Sequence, residues 1–171
     1  MSSSRKGRHL ASVLGAAAVA LSALAAPATA AGPPSALFRA GYDLCRAAPL
    51  AAVRKAGGQL YQRGILVNGA CTWQRADLRA ALVLSTHPSS TGSILMHDFL
   101  VQNGKKGLDA KRIAVRGASK AVLVTLHVPG STGTSKILLA GYPRGVIQIN
   151  MTAPALPDAR LLAVVHLVAR V

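Results

Sequence analysis

The sequence predicts an α+β domain: one mainly antiparallel sheet of about five strands, with helices packed on it and one disulfide. Three observations carry this reading. Apolar residues alternate along 120–128, 135–142 and 146–152, and short turns join these runs, as in an antiparallel meander. Apolar residues recur at helical spacing over 49–55, over 93–103 and again near the C-terminus. The chain also carries two cysteines, Cys45 and Cys71.

The first element is one that the fold should not retain. Arg5, Lys6, Arg8 and His9 precede an apolar run from Leu10 to Ala26, which ends in Pro27 and then Ala28-Thr29-Ala30. A basic start, an apolar middle and a small-x-small site make a secretory signal peptide, with cleavage expected near Ala30. The run is short for a membrane span, and alanine-rich segments insert weakly. No cysteine lies near the site, so a secreted protein without a lipid anchor is expected. Residues 1–30 are read as signal, 31–40 as a flexible start and 41–171 as the disulfide-clamped domain. A mature chain of about 140 residues suits one domain with a real core.

Pro49 to Lys55 reads as a short helix: proline suits its first turn, Leu50 and Val53 face inward, and Gly57-Gly58 ends it. A less regular stretch leads to the turn signal Asn68-Gly69. "ACTWQ" (70–74) reads as a strand with Cys71 and Trp73 on one face. "RAD" (75–77) reads as a tight turn into a second strand, 78–86, with Leu78, Leu82 and Leu84 on its apolar face and Arg79 and Ser85 on the other. "HPSSTG" (87–92) breaks the pattern. Ser93 to Asn103 is then a helix with Ser93 as N-cap, Met96, Phe99 and Leu100 on one face and Gly104 as its stop. Residues 103–112 read as a basic loop.

The strand at 120–128 alternates Val122, Val124, Leu126 and Val128 against Ala121, Leu123, Thr125 and His127. Turns at 129–134 and 143–145 flank the strand at 135–142. In the last strand Ile147, Ile149 and Met151 face in, while Gln148 and Asn150 face out. A helix starting near Pro157 or Asp158 closes the chain. Asp158 can cap it, Leu161, Leu162, Val165 and Val168 form its inner side, and Arg160, His166 and Arg170 its outer side. A sixth strand has two places available, near Lys111 to Val115 or ahead of Cys45.

The charge balance narrows the partners. Twenty Lys and Arg stand against five aspartates, and glutamate is absent. Loss of the signal removes three basic residues, which leaves the mature chain near +12. Such a charge attracts anionic wall polymers, anionic membrane surfaces or nucleic acid. The few aromatics are not interleaved with the basic residues as a base-stacking platform needs, so specific nucleic-acid binding is not expected. Lys105, Lys106, Lys111, Arg112, Arg116 and Lys120 are the candidate contacts to an anionic surface.

Two cysteines in an exported chain most often pair. A Cys45–Cys71 bond closes a loop of about 27 residues, worth ~3.5 kcal/mol in the chain-entropy model. It pins the first helix to the sheet and brings Trp73 near the sulfurs. A catalytic thiol would leave the second cysteine unexplained. No histidine lies within four residues of either cysteine, so no zinc spacing is present and no metal is expected.

The stretches "DLCRAAPLAAVRKAGG" (43–58) and "GACTW" (69–73), followed by a short leucine-rich strand, resemble a family of small secreted or lipid-anchored proteins of unknown function from GC-rich Gram-positive bacteria. "VRGASKAVLVTL" (115–126) is similar to that family's glycine loop and strand, and "TAPALPDARLLAVVHLVARV" (152–171) to its closing segment. The resemblance spans essentially the whole mature chain. It implies paired cysteines and a PsbP-like α+β sandwich, and it brings no catalytic residues with it. This chain departs in lacking a cysteine at the cleavage site, and in placing Lys120 where relatives are often acidic.

Catalytic patterns are weak. The absence of glutamate excludes Glu-based acid/base pairs, and no two aspartates are spaced as a metal pair. Ser85 or Ser89, His127 and Asp98 can be drawn as a triad, but no nucleophile-elbow glycines support it. His97, His127 and His166 read as ordinary surface histidines. "GSTGTSK" (130–136) lacks Walker spacing and leads into a strand, so it reads as a hairpin turn. The expectation is a monomeric, secreted, non-enzymatic domain without cofactor that binds an anionic envelope component. The alternative is an extracellular protein-interaction or inhibitor module using loops 87–92, 103–112 and 129–134.

Overall fold

The computed structural model describes residues 35–77, 79–105, 107–127, 134–152 and 157–169. The expected signal peptide lies outside the described residues, as do 31–34, Leu78, Lys106, Val128, residues 129–133 of the expected turn 129–134, and Arg170. Residues Ser35–Phe38, part of the start expected to be flexible, form a 3-10 turn with Leu37 fully buried in the core.

Among the described residues seven strands form one sheet, where about five were expected. They are β1 (Ile65–Val67), β2 (Ala70–Gln74), β3 (Ala81–His87), β4 (Leu108–Arg112), β5 (Lys120–His127), β6 (Thr134–Tyr142) and β7 (Gly145–Met151). Their order is β1-β2-β3-β7-β6-β5-β4, and every neighbouring pair is antiparallel. Two meanders, β1–β3 and β4–β7, therefore meet where β3 pairs with β7. Among the described residues four α-helices accompany them: α1 (Leu44–Ala47), α2 (Leu50–Gly57), α3 (Ser89–Val101) and α4 (Asp158–Val168). α3 carries the chain from the middle of the sheet to its far edge.

Both additional strands are edges. β1 turns into β2 through Asn68 and Gly69, at φ +49° and +77°. Two left-handed residues make a hairpin turn whose twist matches the strands. All three β1 side chains are exposed, so no alternation marks this strand. β4 falls within the segment read as a basic loop and shares Lys111 and Arg112 with one of the two places offered for a sixth strand; ahead of Cys45 the described residues form a 3-10 turn and no strand. The charged residues of β4 suit an edge, where they discourage pairing with another chain. Asn103 covers that edge too, accepting from the Ala110 amide at 2.8 Å.

β3 starts at Ala81 and not at 78. Asp77 takes a 2.7 Å ion pair from Arg75 and accepts the Arg79 amide at 3.2 Å, which prolongs the turn. Arg75 holds the Asp77 carboxyl below its usual range.

The helix expected from Ser93 begins at Ser89, with Pro88 at the N-cap position. Gly92 is the reason for the discrepancy. It reads as a breaker, yet it is the point where α3 meets β7: a Cβ there would lie 2.2 Å from Val146 Cγ2. Ser93 is thus an interior residue and not a cap. Much of loops 87–92 and 103–112 is accordingly helix and strand.

The sheet is covered on both sides. The front core joins Trp73, Leu82, Leu84, Leu138, Ile147, Ile149 and Met151 to the 3-10 turn, α1, α2 and α4. The back core sets Met96 of α3 against Ala110, Val122, Val124, Leu139 and Val146. β5 is therefore buried on both faces from Ala121 to Val124. α4 buries Leu161, Val164, Val165 and Val168, with Leu162 packed at the margin. Asp158 does not cap α4 through its side chain. It receives Lys136 Nζ at 2.5 Å and Lys111 Nζ at 3.3 Å, ties that clamp the start of α4 to β6 and β4. The Lys136 hydrogen bond is the main cause that pulls the Asp158 carboxyl below its usual range.

Cys45 and Cys71 form a disulfide with Cα atoms 5.1 Å apart. Cys45 sits inside the one-turn helix α1, whose N-cap Asp43 accepts the Cys45 amide at 2.9 Å. Trp73 packs in the same buried cluster as Cys71. The bond is consistent with an oxidising, extracellular setting. Among the described residues no helix is long and apolar enough to cross a membrane.

Candidate functional site

The six basic residues singled out from the sequence do not form one patch. Lys106 lies outside the described residues. Lys105 is exposed just past the end of α3, at the end of β4 away from Arg112. Lys111 is opposite Leu123 on the front face and is engaged by Asp158. Arg112, one residue on, points to the back face. It lies opposite Val122, which makes Lys120 its diagonal neighbour on the same face at about 7–8 Å. Arg116 is exposed in the connection that leads from Arg112 to Lys120. The pleat thus separates Lys111 from Arg112 and joins Arg112 to Lys120.

A groove of about 470 Å³ runs between α3 and the β4–β5 edge. Its apolar wall comes from Met96, Leu100, Val101 and Ile113, and Arg112, Lys120, Ser93 and His97 supply its polar groups. Lys120 Nζ donates to Ser93 Oγ at 2.7 Å, which orients the ammonium along the groove. Among the described residues neither Arg112 nor Lys120 has a carboxylate partner. Val101, with more than half its surface exposed, leaves the apolar wall open to solvent. An apolar wall with a few convergent polar groups is the usual form of a ligand site, and this volume falls in the usual range.

Ser93 and His97 belong to this site and were not identified from the sequence. The signal lay in "HPSS": proline at the start of a helix places Ser93 and His97 one turn apart on the face that meets Lys120.

The triad drawn from the sequence is not assembled: Ser89 opens α3 beside Pro143, at the other end of β6 from Thr134, the residue paired with His127. β7 and β6 lie between β3 and β5, which sets the Ser85 and His127 backbones about 14 Å apart across the sheet. Ser85 registers through Gln148 and Leu139 with Val122, well short of His127 along β5. His127 is exposed, and His97 pairs with Asp98 at 3.5 Å on the surface of α3. His166 departs from the surface reading: its Nε2 is buried without a hydrogen-bond partner, as is the Tyr142 hydroxyl. Burial pushes the Tyr142 phenol upward. Among the described residues no three His, Cys, Asp or Glu side chains gather as a metal site.

The fold and the groove define a small disulfide-clamped α+β domain with a helix-lined, half-basic cleft at one sheet edge. Comparison with models of known protein families finds none that matches this chain, and comparison with curated proteins finds no significant match.

Proposed function

We propose that this chain is a secreted, non-enzymatic domain that binds an anionic component of the cell envelope through the groove beside α3. The observation that carries this reading is the pair Arg112 and Lys120, side by side over an apolar wall and without a carboxylate among the described residues. Two unneutralised cations at that spacing repel one another, and an anion that bridges them relieves the repulsion. The mature chain's net charge near +12 brings such an anion from a distance. The signal-like N-terminus and the disulfide support the extracellular setting, as does the resemblance to secreted two-cysteine proteins. A wall polymer and an anionic membrane surface present the same charge to the groove.

The test is co-sedimentation of the mature domain with cell-wall preparations and with phosphatidylglycerol vesicles across a salt series. Binding that falls steeply with salt is expected. Salt-insensitive capture of a single protein would overturn this reading in favour of an interaction module. One feature favours that second reading: the exposed apolar edge strand β1, with Ile65, Leu66 and Val67 all open to solvent.

A further inference from the structure

A second cleft lies on the front face, at the opposite end of the sheet from the groove. Its volume is about 510 Å³. Its inner wall is Cys45 of the disulfide and Leu50, with the buried Trp73 beneath them, Leu66 of β1 at one side and Asp43 beside Arg46. Arg46 and Arg63 stand at its rim. The chain between Arg63 and β1 is held tightly against this wall. A Cβ on Gly64 would lie 2.6 Å from both Cys71 Sγ and Trp73 Nε1, so only glycine lets the backbone pass there. That contact fixes Arg63 just ahead of the cleft and Leu66 just beyond it.

The rim is cationic. Arg63 is exposed and has no carboxylate partner among the described residues. Arg46 is 82% exposed and sits 3.7 Å from Asp43, whose other oxygen is taken by the Cys45 amide. Two guanidiniums therefore face one carboxylate that is already engaged. Beside them Leu66, opposite Cys71 on the front face, is 44% exposed, while its neighbours Ile65 and Val67 point to the other face of the sheet.

From this we infer that the cleft binds a single-chain anionic amphiphile, an acyl or alkyl chain ending in phosphate or carboxylate. The chain lies along Leu66 and Leu50 toward the disulfide, and the head group meets Arg63 and Arg46. A polyanion would leave the apolar wall unused, and a neutral lipid would leave both guanidiniums unused. Guanidinium forks suit phosphate and carboxylate geometry. This site shares no residue with the α3 groove.

Trp73, the only tryptophan in the chain, lies buried directly beneath the cleft and reports on its surroundings. The experiment is intrinsic fluorescence of the oxidised domain titrated with dodecyl phosphate below its micellar concentration. A saturable spectral change is expected. Arg63→Ala should weaken it about tenfold or more, the loss of one charge-assisted bond, and Arg63→Lys should recover part of that. Leu66→Asp, at an exposed edge position, should abolish it with the fold intact by circular dichroism. The double variant Arg112→Ala/Lys120→Ala should respond as the wild type does, so the two sites fail independently. Dodecyl maltoside and inorganic phosphate should each bind about tenfold or more weaker than dodecyl phosphate. Equal affinity for the neutral detergent, full competition by inorganic phosphate, no effect of Arg63→Ala, or a response to phosphatidylglycerol vesicles alone would each overturn the inference.

Discussion

Replacing Gly92 with alanine sets two effects of known size against each other. Gly92 lies inside α3, where alanine is favoured over glycine by about 0.8–1.0 kcal/mol. Taken alone, that term predicts a more stable protein. The new methyl, however, would stand 2.2 Å from Val146 Cγ2 and 2.4 Å from Val146 Cβ. Comfortable carbon contacts are about 3.5–4.0 Å. Val146 is 1% exposed, and its Cβ is anchored directly to β7, so it cannot turn aside. α3 must lift from the sheet, and overpacking of this kind costs about 1–3 kcal/mol plus the lost contacts of Met96 beneath it. The clash outweighs the propensity, and a net loss of about 1–2 kcal/mol is expected. Urea denaturation of the oxidised domain reads this as a lower midpoint at unchanged slope. Val146→Ala cannot relieve the clash, because its Cβ is itself too close. Val146→Gly removes both atoms, and in that background Gly92→Ala should stabilise. Gly92→Ala as stable as the wild type, or more so, would refute the placement of α3 on β7.

Three further outcomes follow from the same packing. Replacing both cysteines with alanine frees a loop of about 27 residues and should cost ~3.5 kcal/mol, read as a fall in melting temperature under non-reducing conditions. Tyr142→Phe removes a buried hydroxyl that has no partner, so its stability should equal or exceed that of the wild type. The advantage should grow above the ordinary phenol range, because a raised pKa makes the folded tyrosine resist ionisation that the unfolded one undergoes. Asp158→Asn should cost less than about 1 kcal/mol near neutrality, since the carboxylate is partly exposed and its two lysine contacts are screened. Its pKa is lowered in the fold, so this contribution is present above the ordinary carboxylate pKa and is lost as pH falls through the folded value. A pH series of melting temperatures for the two proteins should converge in acid.

Elements with one buried and one open face were legible from their period. Cys71 and Trp73 in β2 and Ile147, Ile149 and Met151 in β7 sit where alternation put them, as do Leu161, Val165 and Val168 of α4 where helical spacing put them; Leu162 is only partly buried, and Val164, which the expected stripe left out, is buried. β1 was hidden because Ile65, Leu66 and Val67 are equally exposed, and β4 because an edge strand of charged residues looks like a loop. The start of α3 was hidden because glycine serves there for close packing against Val146 and not for a turn. Of the candidate site, the basic residues could be named from composition. Their sorting into Lys111 on one face and Arg112 with Lys120 on the other depends on the register of β4 against β5, which only the missed strand supplies.

The binding claim rests on the groove, and amide chemical-shift mapping of the labelled domain tests it most directly. Titration with a soluble poly(glycerol phosphate) should move the amides of Ser93, His97, Arg112 and Lys120 together and leave the Lys111–Asp158 contact undisturbed. Each cation near an anionic surface contributes about 1 kcal/mol, so Arg112→Ala/Lys120→Ala should raise the midpoint roughly 30-fold. Shifts confined to other basic residues, or a midpoint unchanged in the double variant, would contradict it.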